Sequence, residues 1–163
     1  MGSRPTLGTS SRSSTSSAAS AEEVRAHSAV HVLKGAVTKV LGPRRFTFAG
    51  AGVLRVRSDG PLAKQEMGKV EAAANRKIAE DAEILEFEME RQEAEGHFGT
   101  GIYDLAPAPE SGKLLKIVKI ADWDASFCPR AHVETTGSIG AIKMDGATFD
   151  DGAKDLVFRF HLL

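Results

Sequence analysis

The sequence predicts an α+β fold: a single domain in which a mostly antiparallel β-sheet is covered by two long helices. Three observations predict it. Two long segments, beginning at Ala21 and at about residue 62, repeat apolar residues at helical spacing. Six shorter runs carry β-branched and aromatic residues with strand character. Helical and strand segments follow one another without the regular alternation that a parallel sheet requires.

The chain has 163 residues, 42% of them hydrophobic, which suffices for one sizeable core. Residues 1–20, MGSRPTLGTSSRSSTSSAAS, hold Arg4 and Arg12, no acidic residue and a dense run of Ser and Thr. They are expected to form a disordered tail, because such a composition offers too little apolar surface to offset ordering. The same composition is shared by organellar transit peptides, so targeting by the tail stands as the alternative to a cytoplasmic location. Residues 21–163 form the expected folded domain.

The folded part opens with AEEVRAHSAVHVLKGAVTKVLG, which places Val24, His27, Val30, His31, Leu33, Val37, Val40 and Leu41 near one face. Ser20 supplies a cap, Glu22 and Glu23 an acidic first turn, and Gly42-Pro43 a stop. RRFTFAG and VLRVRSD then read as a hairpin around Gly50-Ala51-Gly52. A second helix over about residues 62–82 carries Met67, Val70, Ala74 and Ile78 on one side. EILEFEMER alternates Leu85, Phe87 and Met89 against Glu86, Glu88 and Glu90, as a strand with one wet face does. A helical turn, RQEAEGHFG, and a loop precede the strand KLLKIVKIADWD, and SIGAIKMDG and KDLVFRFHLL supply the last two.

Charge and cysteine usage exclude several classes. Lys and Arg total 21 against 22 Asp and Glu, so the net charge of -1 gives no global basic footprint, and any RNA contact must be local. Nothing points to DNA or to an obligate protein partner. One cysteine excludes an internal disulfide, and no apolar run approaches the roughly 20 residues that span a bilayer.

The chemistry-bearing residues come in two pairs. His27 and His31 lie four apart on the first helix, one turn apart on nearly the same side, so both imidazoles can reach one ion. Taken alone, HSAVH is equally a core histidine beside a surface one. Cys128 and His132 repeat the spacing in SFCPRAHVETTG, where Pro129 argues for a loop. Three imidazoles and a thiolate suit the tetrahedral, borderline-soft preference of zinc; the alternative is an inert buried thiol beside a loop histidine. His97, in a polar turn, and His161, alternating with Phe158, Phe160 and Leu162, are assigned no ligand role.

With HSAVHVLKGAV, YDLAPAP and IADWDASFCPRAHVETTGSIGAIK in this order, the chain resembles the free-standing AlaX proteins, smallest class, and the editing domain of alanyl-tRNA synthetase. The resemblance covers about residues 24–163. It implies zinc held by His27, His31, Cys128 and His132, which act catalytically through the ion, and Thr47 as a substrate-binding residue. The implied activity is hydrolysis of the ester of mischarged alanine tRNA, carrying serine or glycine. Two departures stand out: the loop reads CPRAH where many relatives have CGGTH, and the AGAG turn is short. The second additional domain of threonyl-tRNA synthetase, which removes serine from threonine tRNA, is similar as well. A zinc-stabilised tRNA-binding module without catalysis, and a structural zinc domain, are the non-enzymatic alternatives. Four protein ligands close a tetrahedral zinc site, whereas hydrolytic zinc keeps one position open. Asp122, Asp124 and Glu134 lie near the CxxxH loop as candidate orienting or solvated carboxylates, and spacing singles out no general base.

Overall fold

A computed structural model describes residues 20–50, 52–104, 106–110 and 114–163. The tail expected over residues 1–20 lies outside them except for Ser20, which belongs to the fold. Its side chain accepts from the backbone N–H of Glu23, and the Glu23 carboxylate accepts from the backbone N–H of Ser20. This capping box starts helix α1 (Ala21–Leu41), and Gly42, at φ 88°, closes it by donating to the Thr38 carbonyl.

The remaining elements run β1 (Phe46–Gly50), β2 (Val53–Arg57), α2 (Lys64–Ala79), β3 (Leu85–Glu90), α3 (Arg91–Phe98), β4 (Leu114–Ile120), β5 (Asp124–Phe127), β6 (Ile142–Asp150) and β7 (Asp155–Leu162). Single 3-10 turns lie at Thr100–Tyr103 and Thr136–Ile139. The fold is α+β and every strand pairing is antiparallel, but the strands form two sheets: β1-β2-β7-β6 and β3-β4-β5.

Two details differ from the sequence reading, and β1 carries an irregularity of its own. KLLKIVKIADWD does not continue as one strand. Trp123 donates its backbone N–H back to the Ile120 carbonyl and Asp122 takes φ 56°, so the chain reverses into β5. The second helix is shorter at both ends than residues 62–82, starting at Lys64 and stopping before Asp81 at φ 51°. In β1 the register shifts between Phe46 and Phe48, leaving Thr47 without a cross-strand partner. That bulge reverses the alternation: Phe46 is buried opposite Val56, while Phe48 opposes Arg55 and is 49% exposed. Phe46 and Phe48 therefore do not share a face.

Helix α1 is buried on every side from Ser28 to Val37. It packs on α2, on β1 and β5 and on the Thr136–Ile139 turn, so it occupies the centre of the molecule rather than one wall of it. Gly35 makes one of these approaches possible, since a Cβ there would overlap the Trp123 indole, whose Nε1–H donates to the Val32 carbonyl at 2.9 Å. The main core joins α1 and α2 to the four-stranded sheet through Leu33, Val37, Leu54, Val70, Ile78 and Phe158, among others. A smaller cluster under β3-β4-β5 gathers Ala94, Ile102, Leu115, Ile117 and Phe127. The TTGSIG stretch is structural: Thr136 Oγ1 donates to the Lys77 carbonyl and accepts from the Ala82 N–H, and Gly137 lies against Asp81, which locks the end of α2.

Candidate metal centre

His31, in the buried middle of α1, and the half-buried His27 one turn before it lie against the loop that follows β5. That loop is held in place at both ends. The Cys128 N–H donates to the Lys116 carbonyl on β4, and the Val133 N–H donates to Ser28 Oγ on α1. The result is one cluster, with ligand atoms of His27, His31, Cys128 and His132 all within 4.8 Å of one another. His27 Nε2 lies 2.9 Å from Cys128 Sγ, and His31 Nε2 lies 3.0 Å from His132 Nε2. A tetrahedral zinc with bonds of about 2.0–2.1 Å to nitrogen and 2.3 Å to sulfur sets its donors about 3.3–3.6 Å apart. The nitrogen pair needs to open by about 0.3 Å and the nitrogen–sulfur pair by about 0.7 Å, shifts within reach of side-chain torsions, so the residues fit the ion.

The electrostatics agree with that donor set. Burial alone raises the pKa of the Cys128 thiol, but hydrogen bonds with His132, His27 and His31 outweigh it and bring it down to about 3. The sulfur is therefore a thiolate, the form that binds metal. At 2% exposure Cys128 offers no approach for an ester carbonyl, which argues against a role as nucleophile. Burial pushes His27 below its ordinary value. Burial also opposes charge on His31, yet its bond to Asp124 and its contact with Cys128 leave it raised.

Two carboxylates stand behind the imidazoles. Asp124 Oδ2 is 3.1 Å from His31 Nδ1, and Glu86 Oε2 is 2.7 Å from His132 Nδ1. Each accepts the proton on the outward nitrogen and so leaves Nε2 free to face the centre. Of the three carboxylates considered near the CxxxH loop, Asp124 alone makes such a contact among the described residues. Glu86 escaped the sequence reading because the alternation of β3 assigned it simply to the wet face; only its register opposite Val118 brings it to the loop. Lys34 escaped as well. It is 3% exposed, donates to Ser126 Oγ at 2.7 Å and pairs with Asp124 Oδ1 at 3.4 Å. Burial works against the Asp124 charge, but Lys34 and His31 hold its pKa below the ordinary value. His97 and His161 lie outside the cluster; His161 is exposed and contacts Asp145.

Thr47 lies elsewhere. Its Oγ1 donates to Asp155 Oδ2 at 2.9 Å, alongside Arg55 Nε at 3.1 Å. Asp155 is buried, and its Oδ1 has no hydrogen-bond partner, with Arg57 Nε 3.7 Å away. Thr47 also lines a cavity of about 400 Å³ with Arg45, Phe46, Arg57, Tyr103 and Asp104. None of the four cluster residues lines this cavity; of its lining residues, Phe46 carries Lys34 Nζ at 5.3 Å over its ring, and the Tyr103 ring meets that of Phe127.

No family model matches the chain. Alanine–tRNA ligase of Pyrococcus abyssi is 31% identical over 144 residues, 84% of this chain and 15% of the relative. That of Thermofilum pendens is 34% identical over 143 residues, 83% of the chain and 15% of the relative. That of Ignicoccus hospitalis is 35% identical over 127 residues, 74% of the chain and 14% of the relative. Spanning about 15% of the length of the curated relatives it matches, the chain is a homologue of alanine–tRNA ligases, consistent with an AlaX-like domain related to their editing domain.

Proposed function

We propose that this chain is a zinc-dependent aminoacyl-tRNA deacylase that hydrolyses the ester of mischarged Ser-tRNA(Ala), and of Gly-tRNA(Ala), in trans. The observation that carries this reading is the convergence of three Nε2 atoms and one thiolate from α1 and the loop after β5. Homology to alanine–tRNA ligases supplies the substrate class. When bound, the zinc ion would polarise the ester carbonyl or a water molecule on becoming five-coordinate or on releasing one of its four protein ligands.

In this reaction water adds to the carbonyl, the bond to the ribose oxygen breaks, and that oxygen takes up a proton to restore the ribose hydroxyl. His27, His31, Cys128 and His132 hold the ion. Asp124 and Glu86 keep the outward protons on His31 and His132, so both carboxylates are already committed and neither is available as a general base. Trp123, hydrogen-bonded to α1, fixes the start of β5 and thus the position of Asp124.

The family resemblance assigns Thr47 to amino-acid selection, and the cavity that it lines would be the space for the amino acid. Its hydroxyl proton is given to Asp155, so the oxygen would meet a serine substrate as an acceptor, using its lone pairs. A pocket that hydrogen-bonds the extra hydroxyl of serine discriminates against alanine, because with alanine that polar group goes unmatched. The test is release of labelled serine from mischarged alanine tRNA, with alanyl-tRNA as the control and with and without a chelator. Serine release that stops with the chelator, alanyl-tRNA being spared, supports the reading. Binding of tRNA without turnover would replace it with a non-catalytic module.

A further inference from the structure

The three imidazoles of the cluster share one orientation. Each turns Nε2 inward, and each presents Nδ1 to the outside. Two of the outward nitrogens face carboxylates. The third does not: His27 Nδ1 faces the guanidinium of Arg130, with Nη1 at 3.4 Å. An arginine has donors and no acceptor. Once Nε2 of His27 is given to a metal ion, the neutral ring carries its proton on Nδ1, and this edge then holds two donors with no acceptor between them.

We propose that Arg130 and the outward N–H of His27 together hold one backbone phosphate of the RNA acceptor end at the mouth of the metal centre. The inference rests on the deacylase reading above, which places the scissile ester at the centre. The nearest phosphate of such a substrate lies one ribose away from that ester, on the same nucleotide.

The surroundings leave Arg130 available for this contact. It is exposed, and no carboxylate lies within ion-pairing distance of it among the described residues. Glu23, the carboxylate that senses its charge, is engaged with the backbone and side chain of Ser20, and these lower its pKa more than Arg130 does. The backbone beneath Arg130 is anchored, because its carbonyl accepts from Lys116 Nζ at 2.6 Å and Lys116 pairs with Glu86 at 3.0 Å. A cation on a fixed backbone, next to an N–H donor, suits a phosphate, which accepts charge-assisted bonds at several oxygens. Arg130 is thereby a positioning residue for the substrate, and its contribution belongs to binding more than to the chemical step.

The experiment uses the zinc-loaded full chain and unacylated alanine tRNA, with binding measured between about 50 and 200 mM salt. Arg130→Gln should weaken binding roughly three- to tenfold at the low end and reduce the steepness of log K against log salt by about 0.7, as loss of one contact to a single strand does. Arg130→Lys should recover part of both, and zinc content should be unchanged in both variants. On tRNA lacking its terminal CCA, parent and Arg130→Gln should bind alike. Equal affinities and slopes on intact tRNA would overturn the assignment, as would a difference that persists on the truncated RNA. Saturable binding of inorganic phosphate by the parent but not by Arg130→Gln, without any effect on tRNA, would assign the site to the free ion instead. A parent that loses affinity on Arg130→Gln but releases no serine would retain the phosphate site and reject the deacylase reading. The reverse pattern would do the opposite.

Discussion

Two regions singled out by sequence behave differently in the structure. At the metal centre, four side chains from segments about 100 residues apart meet, and the chain supplies the polar groups that orient two of them. At Thr47, the hydroxyl is already used inside the protein, on a buried aspartate with one oxygen unpartnered. The first region groups the buried Lys34 and His31 on Asp124, whereas in the second the Thr47 proton is committed to Asp155 and only the oxygen's lone pairs remain for another partner. A side chain's chemistry marks it as a candidate; what else it must satisfy decides its availability.

The comparison is broken most directly by removing a ligand. Cys128→Ser and His31→Ala should each lower zinc affinity by more than about 100-fold, beyond the range found for groups that merely support ligands. Competition against a chromophoric chelator measures this, and parent-like affinity in both variants would remove the cluster from the account. Asp124→Asn should lower zinc affinity about 10- to 100-fold and also destabilise the fold by about 3–5 kcal/mol, since it strands Lys34 as an unpaired buried charge. Glu86→Gln should show a similar loss of affinity with little loss of stability, because Glu86 is 36% exposed and its other partner, Lys116, reaches solvent. Chemical denaturation of the two variants side by side separates orientation of a ligand from support of the fold.

Thr47→Val sharpens the other half. It should cost about 1–3 kcal/mol by withdrawing the donor from Asp155, and leave zinc affinity intact. If Thr47 also meets the substrate, the ratio of seryl- to glycyl-tRNA hydrolysis should shift by up to about tenfold. A stability loss with no shift in that ratio would confine Thr47 to Asp155. The smallest effect lies at the N-terminus. Deleting residues 1–20 should cost about 1 kcal/mol more than deleting 1–19, the contribution of the Ser20 cap. Equal melting temperatures would mean that the capping box contributes nothing measurable.

What the sequence revealed followed from local rules. Ser20, Glu23 and Gly42 bound the first helix because capping depends on residues three or four apart. The antiparallel pairing of β1 with β2 follows from two short runs around a glycine turn. The ligand pairs were visible because each is local, and their joining was visible through the family resemblance. The missed features depend on distance or on backbone angles that composition does not display. Asp122 at positive φ, and with it the reversal of the chain from β4 into β5, gives no apolar signature. The bulge at Thr47 inverts a period-two pattern without changing a residue type, so an argument from strand alternation fails there. Lys34 looks like a solvated helix residue until Asp124 and Ser126 arrive from β5, 90 and 92 positions along the chain. Glu86 requires the register of β3 on β4, which three alternating glutamates cannot specify.

On the proposed function, the cluster hydrolyses the ester through one metal ion. Its most direct test is to strip the protein with a chelator and return zinc in steps, following release of labelled serine from mischarged alanine tRNA. The stripped protein should give no release, and the rate should rise in proportion to added zinc and saturate at one equivalent per chain. Release by the metal-free protein at the parent rate, or a fully zinc-loaded protein that releases no serine, would contradict it.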